Sequence, residues 1–345
     1  MKRCECESYG YCEFFNQEMT FSPPNWQWCQ NASEQERADY KKQCDAKHKK
    51  EDKNIQNQTQ KTKFVTISNL VDDCIQKLIP KLHDMDISGI VAVPRSGFLP
   101  ASICATILNV PLYTLSDGKL IICNSLSEFG GWRMKAYEKG SGKLLLLDDT
   151  IFTGNTLEKI KIFFDEPYYS GVLYAKPDAT DTVDVFGEEL DIPHLLEWHF
   201  FNSDFVERTL FDLDGIFSPN VPMSCCIDND KYEEYISSVE PFYHRLPKAK
   251  YKLKAIVTGR ADRFRKITEQ WLEKYNIEYE NLIMFPSERE RERNRDHIQQ
   301  VGKHKADHHR KLNSTYFMES EESEGLVIRT LSRKKVILPN QGILL

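Results

Sequence analysis

The sequence predicts an α/β protein with two doubly wound parallel-sheet domains, preceded by a small cysteine-rich N-terminal region. Apolar runs with the length of buried strands alternate with segments of helical periodicity, and pairs of acids follow two of these runs. Five of the ten cysteines fall within the first 44 residues, where large aliphatic residues are scarce. We therefore expect domains at residues 1–62, 63–205 and 206–345.

Composition and charge exclude several classes of protein. The chain has 345 residues, typical of about two domains, and 40% of them are hydrophobic, which is enough for sizeable cores. A net charge of −6 gives no overall attraction to nucleic acid or to anionic membranes. No apolar run approaches the roughly 18 residues that span a bilayer, and the N-terminus lacks the apolar segment of a signal peptide. We expect a soluble cytoplasmic protein with no membrane partner.

Four cysteines near the N-terminus could share a metal. In a reducing cytosol a dense cysteine cluster is more often metal-binding than disulfide-bonded. So little aliphatic content also favours a metal as the support of the fold. The spacing matches no strong zinc-ribbon pattern, so free thiols and a docking module for a partner stay open. The candidate ligands of Zn²⁺ or an iron–sulfur cluster are Cys4, Cys6, Cys12 and Cys29.

The region after residue 63 begins with a helix and a strand. Apolar residues recur at helical spacing between residues 70 and 82, and Ser68 can cap that helix. The apolar run 90–93 predicts a strand that leads into a turn and a further helix. An arginine and a glycine at such a turn are a weak signal alone, because an ordinary turn has the same composition. The turn contains Arg95, Ser96 and Gly97.

The strongest pattern lies between residues 144 and 156. Four leucines form an apolar run, two acids follow, and a loop rich in hydroxyls leads into a helix. Ligands of open α/β sheets bind at the carboxyl ends of strands, and N–H groups at a helix N-terminus bind phosphate. Paired carboxylates suit ribose hydroxyls or Mg²⁺. The residues of this candidate nucleotide site are Asp148, Asp149, Thr150, Thr153, Gly154, Asn155 and Thr156.

This stretch resembles the phosphoribosyl-pyrophosphate (PRPP) loop of type I phosphoribosyltransferases, where two acids, three variable residues and Thr-Gly-x-Thr follow an apolar strand. The resemblance implies that Asp148 and Asp149 bind the ribose 2′- and 3′-hydroxyls and that residues 150–156 surround the 5′-phosphate. It also implies that residues 95–97 lie against the diphosphate, often through a strained or cis peptide.

The segment between these two loops resembles the flexible catalytic hood of the same family. Its centre mixes glycines with the cations Arg133 and Lys135. Such a lid excludes water and brings positive charge to the leaving pyrophosphate. A solvated hairpin is the alternative. Further along, Trp198 and Phe200 could stack on a base, although core packing explains them equally well.

A second acidic pattern, Asp212-Leu213-Asp214-Gly215, follows a short apolar strand. Acids two residues apart project to the same side of an extended chain. The pattern resembles motif one of haloacid-dehalogenase-like (HAD-like) phosphatases. The resemblance implies that Asp212 is the nucleophile and Asp214 the general acid/base. A carboxylate nucleophile beside Mg²⁺ suits attack on phosphorus.

The other motifs of that family follow in order. Thr258 ends an apolar strand and fits motif two, and Lys305 fits motif three, although Lys303 and Lys311 compete for that role. Motif four has glutamates where aspartates are commoner. The implied ligands of Mg²⁺ are Asp212, Asp214, Glu319 and Glu321.

Together the resemblances imply a bifunctional, Mg²⁺-dependent enzyme. The first domain would transfer ribose 5-phosphate from PRPP to a small nitrogenous acceptor, and the second would hydrolyse a nucleotide-like phosphate monoester. A homodimer is an open expectation. In the alternative, the first domain senses PRPP or a nucleotide and regulates the phosphatase. Release of pyrophosphate distinguishes the two.

Overall fold

The computed structural model describes most of the chain beyond residue 62. It covers residues 63–116, 119–123, 142–151, 155–162, 167–226, 228–248, 250–291 and 296–345, and the backbone of residues 11–12 and 17–18. The chain forms two compact units, Met1–Gln60 and Lys61–Leu345. The described part of the first unit is an antiparallel strand pair, β1 (Tyr11–Cys12) and β2 (Gln17–Glu18). No helix in the described ranges is long and apolar enough to cross a membrane.

The second unit contains two six-stranded sheets. We call residues 63–205 the first region and residues 206–345 the second region, because each forms one of these sheets. The first region consists, in chain order, of β3 (Phe64–Val65), α1 (Ile67–Asp73), a π-helical turn (Cys74–Leu78), α2 (Ile79–His83), β4 (Ile87–Ala92), α3 (Phe98–Leu108), β5 (Leu112–Ser116), β6 (Lys119–Ile122), β7 (Lys143–Ile151), α4 (Asn155–Lys161), β8 (Tyr168–Ala175), a 3-10 helix (Pro177–Thr182), β9 (Val185–Glu189), β10 (Leu195–Leu196) and α5 (Glu197–Phe200).

The first sheet has the strand order β6–β5–β4–β7–β8–β9. All neighbours are parallel except β5 and β6. Along the chain β4 leads to β5 on one side, whereas β7 lies on the other side of β4 and leads to β8. The strand order therefore reverses between β4 and β7, and their carboxyl ends form the topological switch point, where open α/β sheets bind ligands.

Strand β7 explains why four leucines in a row form the centre of this sheet. Leu145 and Leu147 belong to one buried cluster and Leu146 to another, because successive side chains point to opposite covered faces. The strand continues beyond the leucines through both acids to Ile151. Asp148 and Asp149 are therefore held by the sheet and do not belong to a loose turn.

The predicted cap of the first helix was wrong. Helix α1 is capped by Thr66, whose side chain accepts a hydrogen bond from the Asn69 backbone, while the Asn69 side chain accepts one from Thr66 N. Ser68 lies inside the helix and is exposed. The reason is that the capping box of Thr66 and Asn69 satisfies the backbone N–H groups of both residues. A cap at Ser68 would leave these N–H groups without a partner.

The second region forms its own sheet in the same manner. It consists of a 3-10 helix (Asp204–Arg208), β11 (Thr209–Phe211), α6 (Met223–Cys226), α7 (Asn229–Ser238), a 3-10 helix (Tyr243–Arg245), β12 (Ala255–Ala261), a 3-10 helix (Asp262–Phe264), α8 (Arg265–Lys274), β13 (Leu282–Phe285), a 3-10 helix (Ser287–Arg289), α9 (His297–Lys311), β14 (Tyr316–Met318), α10 (Glu322–Ser332), β15 (Lys335–Leu338) and β16 (Ile343–Leu344). The strand order is β13–β12–β11–β14–β15–β16, with only β15 and β16 antiparallel. The order reverses between β11 and β14. The predicted α/β class with parallel sheets is confirmed.

The two regions share a buried aromatic core. Phe64 and Phe200 of the first region pack edge to face, with ring centroids 5.6 Å apart. Phe200 also contacts Phe211 of β11 at 6.4 Å, and Phe211 contacts Phe217 at 5.3 Å. Strand β3 adds a backbone contact, because Phe64 N donates to Gly342 O at 3.1 Å. The two regions are therefore joined by one buried apolar cluster.

Candidate functional site

The switch point of the first sheet brings two predicted motifs together. Asp149 Oδ1 accepts a hydrogen bond from Ser96 Oγ at 3.0 Å, which joins the end of β7 to the turn after β4. The peptide bond between Pro94 and Arg95 is cis, the conformation that the resemblance implies for this turn. Only glycine fits at Gly97, because a Cβ there would lie 2.5 Å from the carbonyl oxygen of Val93. The turn therefore lies directly against the acids.

The second acid has further donors from helix α5. Asp149 is 2% exposed, and its Oδ2 accepts from Trp198 Nε1 at 2.7 Å and from His199 Nε2 at 3.0 Å. Buried carboxylates need such donors because burial removes their hydration. Asp149 is thus held by three side chains from two other parts of the chain. Phe200, in contrast, lies in the shared aromatic core.

The two neighbouring acids have opposite protonation tendencies. Burial and the adjacent Asp149 carboxylate raise the pKa of Asp148 to about 8. Burial also works against ionisation of Asp149, but hydrogen bonds from His199 and Trp198 outweigh it and lower the pKa of Asp149. At neutral pH the pair therefore carries one proton, located on Asp148. The arrangement provides one ionised acceptor and one carboxyl that can donate.

The remaining residues of the loop are partly described. Thr150 Oγ1 and His194 Nδ1 are 2.6 Å apart, and His194 Nε2 is 2.9 Å from Leu190 O. Burial lowers the pKa of His194. Thr156 is exposed in helix α4, and only the backbone of Asn155 is described. Several predicted residues lie outside the described ranges: Thr153, Gly154, Arg133, Lys135, Cys4, Cys6 and Cys29, together with the side chain of Cys12.

The switch point of the second sheet also contains acids, but a buried cation lies among them. Lys305 is 2% exposed, and its Nζ donates to Asp212 Oδ2 at 2.9 Å, to Glu319 Oε2 at 2.7 Å and to Glu324 Oε2 at 2.7 Å. Lys303 and Lys311 are exposed on the same helix. Lys305 is therefore the lysine that meets the acids of β11 and β14.

Charge within this cluster is shared unevenly. Burial raises the pKa of Asp212 and that of Glu319, although Lys305 opposes both shifts. Burial also disfavours ionisation of Glu324, but Lys305 and His297 lower its pKa to about 2. The surrounding carboxylates raise the pKa of Lys305 above its ordinary value despite its burial. The ammonium group stays charged and is balanced within the protein.

The other predicted residues of the second site lie apart from Lys305. Asp214 forms a bidentate pair with Arg260, with Nε–Oδ2 at 2.9 Å and Nη2–Oδ1 at 2.6 Å. Glu321 is exposed and accepts from Asn220 Nδ2 at 3.1 Å. Thr258 is buried in the middle of β12, where its hydroxyl accepts from Arg260 N at 3.2 Å.

This donor set does not fit a Mg²⁺ ion. The four predicted ligands are divided among three partners, namely Lys305, Arg260 and Asn220. Among the described residues, no group of three or more His, Cys, Asp or Glu side chains is placed to hold a metal. Lys305 and Arg260 already balance the charge of Asp212, Glu319 and Asp214.

Four contacts of the two sites are not indicated by the sequence. Trp198 and His199 follow Asp149 by about 50 residues, and no periodicity connects them with it. Arg260 stood in the motif-two strand but had been given no role. Glu324 had a weak signal, since the run of acids after β14 extends to the first turn of α10. Each contact depends on the packing of separate elements.

Comparison with known proteins identifies relatives of part of the chain, while no family model matches it. The sequence is 33% identical over 117 residues to the xanthine-guanine phosphoribosyltransferase of Chromohalobacter salexigens, which covers 34% of this chain and 70% of that protein. It is 34% identical over 119 residues to the enzyme of the same name from Desulfotalea psychrophila, covering 32% and 68%. A purine phosphoribosyltransferase structure from Pyrococcus horikoshii shares 20% identity over 39% of this chain and 92% of that chain, with a TM-score of 0.29.

Proposed function

We propose, from the premise that this chain belongs to the phosphoribosyltransferase family, that its first sheet binds PRPP and transfers ribose 5-phosphate to a nitrogenous base. The observation that carries the proposal is the contact between Asp149 at the end of β7 and Ser96 in the cis turn after β4. Both motifs lie at the switch point, where this class of sheet binds ligands. The relatives are named for xanthine and guanine, so oxopurines are the first acceptors to test.

The reaction depends mainly on the positioning of the two reactants. The bond between the anomeric carbon and the diphosphate oxygen breaks, and its electron pair leaves with pyrophosphate. A bond from that carbon to a base nitrogen forms, and the proton of that nitrogen passes to solvent. Ionised Asp149 accepts a hydrogen bond from a ribose hydroxyl at Oδ1, and protonated Asp148 can donate one. Fixed partners of this kind lower the entropic cost of aligning the reactants. Mg²⁺ enters as part of the substrate, bound to the diphosphate.

The test is turnover with defined substrates. The full chain is incubated with PRPP, Mg²⁺ and guanine, xanthine or hypoxanthine, and pyrophosphate and nucleotide are measured together. Equal amounts of both products support the transferase. PRPP binding without pyrophosphate from any base supports the sensor alternative. Absence of PRPP binding would contradict both.

A phosphomonoesterase in the second region is the second candidate. One observation favours it: Asp212, Glu319 and Lys305 meet at the switch point of a second parallel sheet. Against it stand the pairing of Asp214 with Arg260 and a donor set that does not fit Mg²⁺, so we derive no step through a metal. In a coupled enzyme, the substrate would be the nucleotide-like product of the first site.

Phosphate release from nucleoside monophosphates tests this candidate. The wild type should release phosphate, and the Asp212→Asn variant should not. Equal rates in both would exclude Asp212 as the nucleophile. No release by the wild type, with or without Mg²⁺, would leave the acids of the second region with a structural role.

A further inference from the structure

We propose that Trp198 and His199 are positioning residues of the first site, which act on PRPP by orienting Asp149. The inference deepens the proposed function and rests on it. Neither residue belongs to the PRPP-loop motif. Both lie on helix α5, a four-residue element between the last strand of the first sheet and the second region.

The hydrogen bonds fix the carboxylate of Asp149 from opposite sides. Trp198 and His199 both donate to Oδ2, while Ser96 donates to Oδ1. A carboxylate oxygen has two lone pairs, so Oδ2 is saturated by its two donors, while Oδ1 can still accept one bond from a ribose hydroxyl beside that from Ser96. The three donors leave Asp149 one orientation before substrate arrives. A preorganised acceptor binds more tightly than one that must be ordered on binding.

Helix α5 is itself held by a buried ion pair with the second region. Glu197 is 4% exposed and accepts from Arg245 Nε at 3.0 Å and from Ile67 N at 3.1 Å. Arg245 Nη1 donates in turn to the carbonyl oxygen of Gly215, which follows Asp214 directly. The helix that orients Asp149 therefore depends on the second region for its own position. This gives the second region a task at the first site that is independent of any phosphatase activity.

Loss of the N–H groups can be separated from loss of packing. The Trp198→Phe variant keeps an aromatic ring and removes the donor. The His199→Gln variant keeps an N–H donor on a side chain of similar reach, whereas His199→Leu removes it. Trp271→Phe is the matched control, because Trp271 Nε1 donates to Val239 O at 2.7 Å within the second region and lies outside both sites.

The primary measurement is the Kd of PRPP in the presence of Mg²⁺, by calorimetry. Without one of these donors, the Asp149 side chain must be ordered when PRPP binds, so we expect the Kd to rise roughly tenfold in Trp198→Phe and in His199→Leu. His199→Gln should retain most of the affinity, and Trp271→Phe should bind as the wild type does. KM for PRPP should change more than kcat. Unchanged affinity in both donor-free variants would overturn the proposal.

A second measurement keeps the inference separate from the proposed function. Hydrogen–deuterium exchange of residues 143–151 is followed in the protein without ligand. Exchange should be faster in Trp198→Phe than in Trp271→Phe, because only the former releases the end of β7. If the wild type fails to bind PRPP, the proposed function is wrong, and this comparison still decides whether Trp198 holds Asp149. Equal exchange in the two variants would show that it does not.

Discussion

Both sheets place acids where their strand order reverses, but they neutralise the negative charge differently. At the first switch point Asp148 and Asp149 are neighbours on one strand, and neutral or weakly basic donors surround them. At the second, Asp212 and Glu319 come from adjacent strands, and Lys305 lies between them. The first pair therefore lowers its charge by keeping a proton, and the second by a buried ion pair.

The two switch points share a topology, but their carboxylates differ in how easily they can bind a ligand. Asp149, held by three hydrogen bonds, keeps a lone pair on Oδ1 that can accept a substrate hydroxyl. A carboxylate paired with a buried cation must first exchange that partner, which costs several kcal/mol in a low-dielectric interior. We therefore expect the first site to respond to substitution mainly in binding, and the second mainly in stability.

The largest effect is expected from Lys305→Met. It leaves three buried carboxylates without their cation, and breaking a buried pair in this way costs about 3–5 kcal/mol of unfolding free energy. Urea denaturation measures the loss. Lys303→Met, an exposed change two residues away on the same helix, is the control and should stay within about 0.5 kcal/mol. A loss of unfolding free energy below about 1 kcal/mol for Lys305→Met would contradict the expectation that substitutions in the second site act mainly on stability.

Next comes Asp149→Asn, which should weaken PRPP binding roughly a hundredfold, because hydrogen bonds to an ionised acceptor are lost. Its unfolding free energy should change by less than about 1.5 kcal/mol, since the amide oxygen still accepts a bond. Calorimetry and urea denaturation measure the two effects. Asp178→Asn, at an exposed acid of the same region, is the control. A large loss of stability with intact PRPP binding would contradict the expectation that substitutions in the first site act mainly on binding.

The third effect concerns pH. The pKa of Asp148 is raised from 3.8 to about 8, so between these values the folded state keeps a proton that the unfolded state has lost. This group should therefore lower the unfolding free energy as pH rises from about 4 to 8, by up to about 1.4 kcal/mol per pH unit, with no further change above. Denaturation at several pH values should show a shallower decline in Asp148→Asn. The exposed control Asp72→Asn should retain the wild-type slope.

The smallest effect is expected from Glu324→Gln. Lys305 keeps Asp212 and Glu319 as partners, and the amide oxygen can still accept its third hydrogen bond. The unfolding free energy should fall by about 1–2 kcal/mol, because the lowered pKa of Glu324 reflects stabilisation of its ionised form by Lys305 and His297, which glutamine loses. Thermal denaturation of Glu324→Gln and Lys305→Met, measured side by side, compares their losses of stability. A loss as large as that of Lys305→Met would mean that Glu324 alone balances the ammonium.

Much of the fold and part of the first site could be predicted from sequence because the signals are local. A continuous apolar run such as 144–147 is typical of a parallel strand covered on both faces, and the acids that follow it must lie at a sheet edge. The turn at residues 95–97 could be matched to them because both motifs end strands of one sheet. Lys305 could be proposed from its place after the motif-two strand, but competition from Lys303 could be decided only by the orientation of helix α9.

The contacts that complete each site could not be predicted in the same way. Trp198 was consistent with stacking or core packing, and nothing near it in the sequence indicates that its indole N–H donates to Asp149. Arg260 and Glu324 meet their acids through the packing of separate elements. Long-range hydrogen bonds of this kind depend on side-chain directions that periodicity does not specify.

The shared aromatic core has a consequence for synthesis of the protein. Phe64 and Phe200 of the first region pack against Phe211, which is translated after both of them. Until β11 has been translated, these side chains of the first region therefore lack the partner that covers them in the folded chain. We expect chaperones to bind this aromatic surface on the nascent chain until the second region emerges and covers it.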